Sequence, residues 1–88
     1  MISYIRVTKK QIINALTNAP VGKRFTIVVV PSDVHPAYDY TGEGKRLAFR
    51  ARAKEESSIL DSLLFAKTEV LEGLKVQEAH YYIQVDGI

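Results

Sequence analysis

The positions of apolar residues near the start of the chain predict a helix over residues 9–18. Thr8 and Gln11 have the spacing of a capping box, in which the Thr hydroxyl accepts from the Gln amide and the Gln side chain reaches back. Three aliphatic residues then recur on one helical face: Ile12, Ile13 and Leu16. The helix should end before Pro20, because the residue that precedes a proline is disfavoured in the helical conformation.

Three later segments show the apolar and β-branched patterns that are typical of strands: residues 23–30, 46–53 and 79–85. Before the last of these, residues 55–74 carry a wide aliphatic stripe at helical spacing. Acidic and serine residues at its start suit the positive end of a helix, so these residues predict a second helix.

The opening residues decide between two architectures. Residues 2–6 are apolar and β-branched enough to form a strand, which gives the order β-α-β-β-α-β. That order predicts a single α+β domain over residues 1–88, ferredoxin-like, with two helices packed on one face of an antiparallel sheet. If residues 2–6 are only an entry segment, the order is α-β-β-α-β around three strands.

In such a sheet the alternation assigns each strand residue to a face. The face toward the helices would be apolar: Phe25, Ile27, Val29, Leu47, Phe49, Ala51, Tyr81, Ile83 and Val85. The open face would carry Arg24, Thr26, Val28, Arg50, Arg52, His80, Tyr82 and Gln84, with Tyr4 and Arg6 if the first strand forms. Tyrosines among arginines suit single-stranded nucleic acid, because bases stack on aromatic rings and guanidinium planes while cations neutralise phosphates. Lys45 and Arg46, at the base of the hairpin, would extend this cationic track.

The segment Lys45-Arg46-Leu47-Ala48-Phe49 is similar to the third-strand signature of RNA-recognition-motif domains, which share this element order and size. In that family the signature is Lys or Arg, any residue, an aromatic, Ala or Gly, and an aromatic. Here Leu47 replaces an aromatic and Arg46 replaces the usual glycine. The resemblance would place Leu47 and Phe49 on the open face, opposite to the assignment from alternation. We follow the alternation and assign no family.

The main interpretation of the aliphatic stripe on the second helix is that its residues pack in the core. Part of it, together with Val28 and Val30 of the sheet, could instead form an interface with a second copy, because small sheets often cover an open face or edge by self-association. A homodimer is therefore a further expectation.

Between the second and third strands, residues 31–44 form a long segment with prolines, glycines and no sustained apolar period, and residues 41–44 are its expected turn. Its acids, tyrosines and His35 invite a metal or general-base hypothesis, but the spacing matches no ligand motif. The glycines before Lys45 lack the spacing of a phosphate-binding loop. We therefore expect no cofactor, no metal and no catalysis.

Composition and charge exclude several classes of protein and favour certain partners. The chain has no cysteine, which excludes a disulfide scaffold and a thiolate metal site. No apolar run approaches the roughly 20 residues of a membrane helix, and the start has no signal-peptide pattern, so we expect a cytoplasmic location without a membrane partner. The net charge of +2 divides into +7 over residues 1–54 and −5 over residues 55–88. Such asymmetry favours a polyanionic or charge-complementary partner.

These observations predict a small, non-catalytic nucleic-acid-binding module. Its expected contact residues are Tyr4, Arg6, Arg24, Lys45, Arg46, Arg50, Arg52 and Tyr82. The alternative is a protein-interaction, adaptor or inhibitory accessory protein, for which the open face, the second helix and Tyr38 and Tyr40 of the long segment would be the contact regions.

Overall fold

The computed structural model describes residues 2–36 and 44–86, with Asp86 described by its backbone alone. These residues form β1 (Ile2–Val7), α1 (Lys9–Asn18), β2 (Arg24–Pro31), β3 (Lys45–Arg50), α2 (Glu56–Leu74) and β4 (Ala79–Asp86). The predicted β-α-β-β-α-β order is confirmed. Because the first strand forms, the alternative built on three strands does not apply.

The strands form one antiparallel sheet in the order β1-β4-β2-β3. β4 therefore lies between β1 and β2, which α1 connects, and β2 lies between β3 and β4, which α2 connects. These two interleaved split β-α-β units agree with the predicted ferredoxin-like arrangement. They leave β1 and β3 as the two edges of the sheet.

The main core lies between the sheet and the two helices. Its buried members are Ile12, Leu16, Ile27, Val29, Phe49, Ile59, Leu63, Ala66, Val70, Ala79 and Tyr81. Phe25, Leu47 and Ile83 pack against this core, which confirms the predicted helix-facing side of the sheet. Val85 is an exception, because it lies near the end of β4 beside the edge strand and stays 37% exposed.

Both ends of α1 form as the sequence predicts. The backbone N–H of Thr8 donates to Gln11 Oε1 at 2.8 Å, and the N–H of Gln11 donates to Thr8 Oγ1 at 3.2 Å. Ala19 is extended, so α1 ends before Pro20.

At the end of α2, Lys75 takes a left-handed conformation with φ of 54° and donates its N–H to the carbonyl of Leu71.

The prediction that β3 extends to residue 53 is wrong. β3 ends at Arg50, because the N–H of Ala53 donates to the Arg50 carbonyl at 3.2 Å and closes a turn. Arg52 sits in this turn with φ of 63°, in the left-handed region. Ala51 is buried even so, and its N–H donates to the carbonyl of Lys23 at 2.8 Å. The chain thus leaves the sheet before α2 begins.

A second, smaller core lies on the side of the sheet away from the helices. It consists of Val28, Val30 and Tyr82, with Tyr4 packed against them. Val28 is 1% exposed and Val30 is 0% exposed within a single chain. The expectation that these valines offer an apolar surface to a second copy is therefore wrong.

The segment after β2 turns back at once. The N–H of Ser32 donates to the carbonyl of Glu78, and the N–H of Val34 donates to the carbonyl of Pro31. The turn expected at residues 41–44 and the tyrosines at 38 and 40 lie, apart from Gly44, outside the described residues.

Candidate nucleic-acid interface

The open face is the side of the sheet opposite α1 and α2, and the strand register arranges its side chains in rows. One row runs Tyr4, Gln84, Thr26, Ala48, and its neighbour runs Arg6, Tyr82, Val28, Arg46. A further row contains Arg24 and Arg50. Six of the eight predicted contact residues lie on this face: Tyr4, Arg6, Arg24, Arg46, Arg50 and Tyr82.

Arg24 and Arg50 stand directly opposite each other across β2 and β3. Both are exposed, and neither forms a hydrogen bond or an ion pair with any side chain that the structure describes. Side chains in such a pair have Cβ atoms about 4.5–5.5 Å apart, and like charges directly opposite are destabilising. The fold therefore places these two arginines opposite each other at the end of the sheet, with no anionic partner for either among the side chains that the structure describes.

Arg46 crosses the middle of the face. Its Nη1 donates to Gln84 Oε1 at 2.9 Å and its Nη2 to the Tyr4 hydroxyl at 3.5 Å. Because β2 separates β3 from β4, the side chain must pass over β2 to reach these partners. From the sequence, Arg46 is expected only at the base of the hairpin. The alternation that puts Ala48 and Arg50 on the open face, continued two residues toward the N-terminus, assigns Arg46 to this face as well.

Arg6 and His80 form a second polar contact, on the β1 side of the face. Arg6 Nη2 lies 3.2 Å from His80 Nδ1, so this contact is a hydrogen bond when the imidazole leaves Nδ1 unprotonated. Arg6 thus contacts His80 and forms no ion pair with any side chain that the structure describes.

The predicted stacking role of Tyr82 meets an obstacle in the structure. Tyr82 is only 9% exposed, and the ring of His35 lies over it with centroids 5.4 Å apart and planes tilted by 45°. His35 also meets Tyr4 edge-to-face at 6.0 Å. The sequence assigns His35 no role and does not predict this contact, because nothing in the local spacing indicates which strands the residue packs against.

Lys45 lies on the other side of β3 from the predicted track. Its Nζ is 2.9 Å from Glu69 Oε2 of α2, and its register partner is the helix-facing Val29. The strand alternation that turns Arg46 to the open face necessarily turns Lys45 to the helices. The predicted contact at Lys45 is therefore corrected: its charge is paired with an acid on the helical side.

Arg52 is also absent from the open face. Its Nε donates to the carbonyl of Thr17 in α1 at 3.2 Å. That position follows from the turn that ends β3 at Arg50 and carries the next residues toward the helices. The alternation places Arg50 and Arg52 on one face, but in the structure Arg50 has Arg24 opposite it across the two strands and Arg52 lies on the helical side.

The charge of the open face is one-sided. It carries four arginines, Arg6, Arg24, Arg46 and Arg50, and none of the strand side chains described on this face is acidic. Among the residues of ranges 2–36 and 44–86, no group of three side chains is arranged to hold a metal ion. The chemistry available on this surface is therefore the binding of anions by guanidinium groups.

Comparison of the chain with protein-family models, with curated proteins and with solved structures finds no match. Neither helix in the described part of the chain is long and apolar enough to cross a membrane. A function for this surface must accordingly be argued from its own geometry.

Proposed function

We propose that the protein is a small, non-catalytic nucleic-acid-binding module that holds a single strand against the open face of its sheet. The observation that carries this proposal is the cross-strand pair of Arg24 and Arg50, which lacks an anionic partner among the described side chains. A phosphate between these two groups would convert a repulsive pair into two charge-assisted hydrogen-bonding contacts.

The phosphate backbone would run from this pair toward the centre of the face. Arg46 lies there, already oriented by its hydrogen bonds to Gln84 and Tyr4. An oriented guanidinium loses less side-chain freedom on binding than a free one, and its plane can carry a stacked base. Arg6 supplies a further cation at the β1 edge.

Base stacking on tyrosine is the smaller part of this mechanism. Tyr82 is covered by His35, whereas Tyr4 is half-buried at the margin of the aromatic cluster. The proposal therefore rests on charge more than on stacking, and it expects weak sequence preference and steep dependence on salt.

Fluorescence anisotropy with labelled single-stranded RNA, single-stranded DNA and duplex DNA at several salt concentrations tests the proposal. The variant that carries Arg24→Ala and Arg50→Ala should bind more weakly. Its plot of log affinity against log salt should be flatter by about 1.4, since each phosphate contact on a single strand contributes about 0.7 to the slope.

The matched control removes the same charge from the helical side. Lys9 and Lys10 are exposed in the first turn of α1, and the variant with Lys9→Ala and Lys10→Ala should keep the parent slope to within roughly half of one such contact. An equal loss in both double variants would show that net charge alone attracts the nucleic acid. Absence of binding at low salt would refute the proposal.

A protein-interaction role is the second candidate, and one observation favours it. Phe65 of α2 is 67% exposed and lines an apolar surface together with Leu47 and Ala66 beside the edge strand β3. A large aromatic residue at such exposure is typical of a contact surface when it joins a wider apolar area. Homodimer formation remains a prediction, and a solution mass measurement tests it.

A further inference from the structure

A cleft lies between the edge strand β3 and α2, away from the open face. Its volume is about 500 Å³, and its apolar wall is formed by Leu47, Phe65 and Ala66. Lys45 and Glu69, which pair at 2.9 Å, line it as well, and so does Asp61. Phe65 is two-thirds exposed, and its ring lines this space.

The strand that borders the cleft is an edge of the sheet in the part of the chain that the structure describes. There β3 pairs with β2 alone, and the outer carbonyl of Arg50 accepts from Ala53, while residues 45–49 make no backbone hydrogen bond on their outer side. An edge of this kind can accept one more strand through main-chain hydrogen bonds, with pockets for alternate side chains providing selectivity.

We propose that β3 and the cleft bind an extended segment of a partner protein in which acidic and large apolar residues alternate. The side chains of an added strand would point alternately to the two faces of the sheet. Those on the helical side would enter the cleft against Leu47 and Phe65. Those on the other side would meet the exposed Arg50, so a carboxylate there would have a complementary charge.

A second copy of this chain does not suit the same edge. Antiparallel pairing of β3 with itself about Ala48 would set Arg46 against Arg50 of the other copy, twice over, and like charges directly opposite are destabilising. Nucleic acid does not suit the cleft either, because its wall is largely apolar and its two cations, Lys45 and Arg46, are balanced by Asp61 and Glu69. The cations of β3 thus disfavour self-pairing while they favour an acidic strand.

This proposal can fail or hold independently of nucleic-acid binding, because Phe65 and Leu47 take no part in the open face and only Arg50 is common to both surfaces. Its test is an NMR titration of the ¹⁵N-labelled full chain with a synthetic peptide of six residues, the length of β3, in which Glu and Val alternate. Binding with a Kd on the order of 1 mM or tighter is expected. The amides of residues 45–50 should shift, and those on the outer edge should exchange more slowly with solvent.

Two variants and one altered peptide make the result specific. Phe65→Ala should weaken binding about tenfold, as truncation of an anchoring aromatic does, whereas Leu64→Ala should leave it unchanged. Leu64 is the matched control because it is a similarly exposed neighbour on α2 that does not line the cleft. A peptide with Lys in place of Glu should bind more weakly. Binding that is indifferent to Phe65→Ala, or that leaves amide exchange in β3 unchanged, would overturn the proposal, as would no binding at all.

Discussion

Replacing Arg50 by glutamate should stabilise the fold while it abolishes the proposed anion site. In the native protein Arg24 and Arg50 stand directly opposite each other without an anionic partner among the described side chains. The substitution Arg50→Glu turns this like-charge pair into an ion pair across two strands. A binding site can cost a protein stability, so a gain in stability here would accompany a loss of binding.

The size of the gain follows from the geometry of the pair. A favourable or unfavourable cross-strand charge pair is worth about 0.2–1 kcal/mol, so removing the repulsion and adding an attraction should raise the free energy of unfolding by about 0.5–1 kcal/mol. For a domain of this length, that change raises Tm by roughly 2–8 °C. Salt should reduce the gain, because both side chains are exposed and their charges are screened.

Thermal and urea unfolding of four proteins isolates the pair: the parent, Arg50→Glu, Arg50→Gln, and Arg50→Glu combined with Arg24→Gln. Arg50→Gln removes the repulsion without adding an attraction, so its stability should lie between those of the parent and Arg50→Glu. The advantage of glutamate over glutamine should disappear once Arg24 is neutral. If Arg50→Glu is less stable than the parent at low salt, or if its gain survives Arg24→Gln, the two guanidinium groups do not interact and the reasoning fails.

Three further predictions concern the helical side. Burial raises the pKa of Tyr81 above its usual 10.0, and its hydroxyl donates to the carbonyl of Leu63 at 3.3 Å, so Tyr81→Phe should lower stability by about 0.5–1.5 kcal/mol at neutral pH. The native state keeps this proton while the unfolded chain releases it above pH 10.0, so stability should fall with rising pH there, and urea titrations of Tyr81→Phe should show a shallower fall. Leu63 is fully buried, and Leu63→Ala should cost about 2–5 kcal/mol in the same assay; a cost near zero would contradict the packing. Thr8→Ala removes the capping box of α1 and should cost about 0.5–2 kcal/mol, whereas Thr8→Asp should retain most of the stability.

The parts of the fold that depend on local pattern could be predicted from the sequence. The capping box of Thr8 and Gln11 marks the start of α1, and the alternation in β2, β3 and β4 assigns the helix-facing residues. The alternation continues past Arg50, however, and it carries no information on the hydrogen bond from Ala53 that closes a turn there. This is why the alternation assigns Arg52 to the open face, whereas the structure places it on the helical side.

The parts of the site that depend on strand order could not be predicted in the same way. Burial of Val28 and Val30 requires β4 beside β2 and β1 beside β4, since Tyr82 and Tyr4 then pack against the valines. The contact of His35 with Tyr82 joins residues far apart in the chain. The pairing of Lys45 with Glu69 depends on where α2 crosses the sheet. None of these has a signature in neighbouring residues.

The position of β4 between β1 and β2 has a consequence for how the chain folds as it is synthesised. Ile2 pairs with Asp86, so during synthesis β1 finds its neighbour only after β4 has emerged from the ribosome. The hairpin of β2 and β3 can form earlier, but the valines on its open side then remain in water. Pairing two strands that lie so far apart in the sequence slows folding. Until β4 pairs with β2, the hairpin of β2 and β3 exposes both of its edges to solvent. Mutual repulsion between the arginines of β2 and β3 would keep partly synthesised chains on a polysome from associating through these edges until β4 completes the sheet.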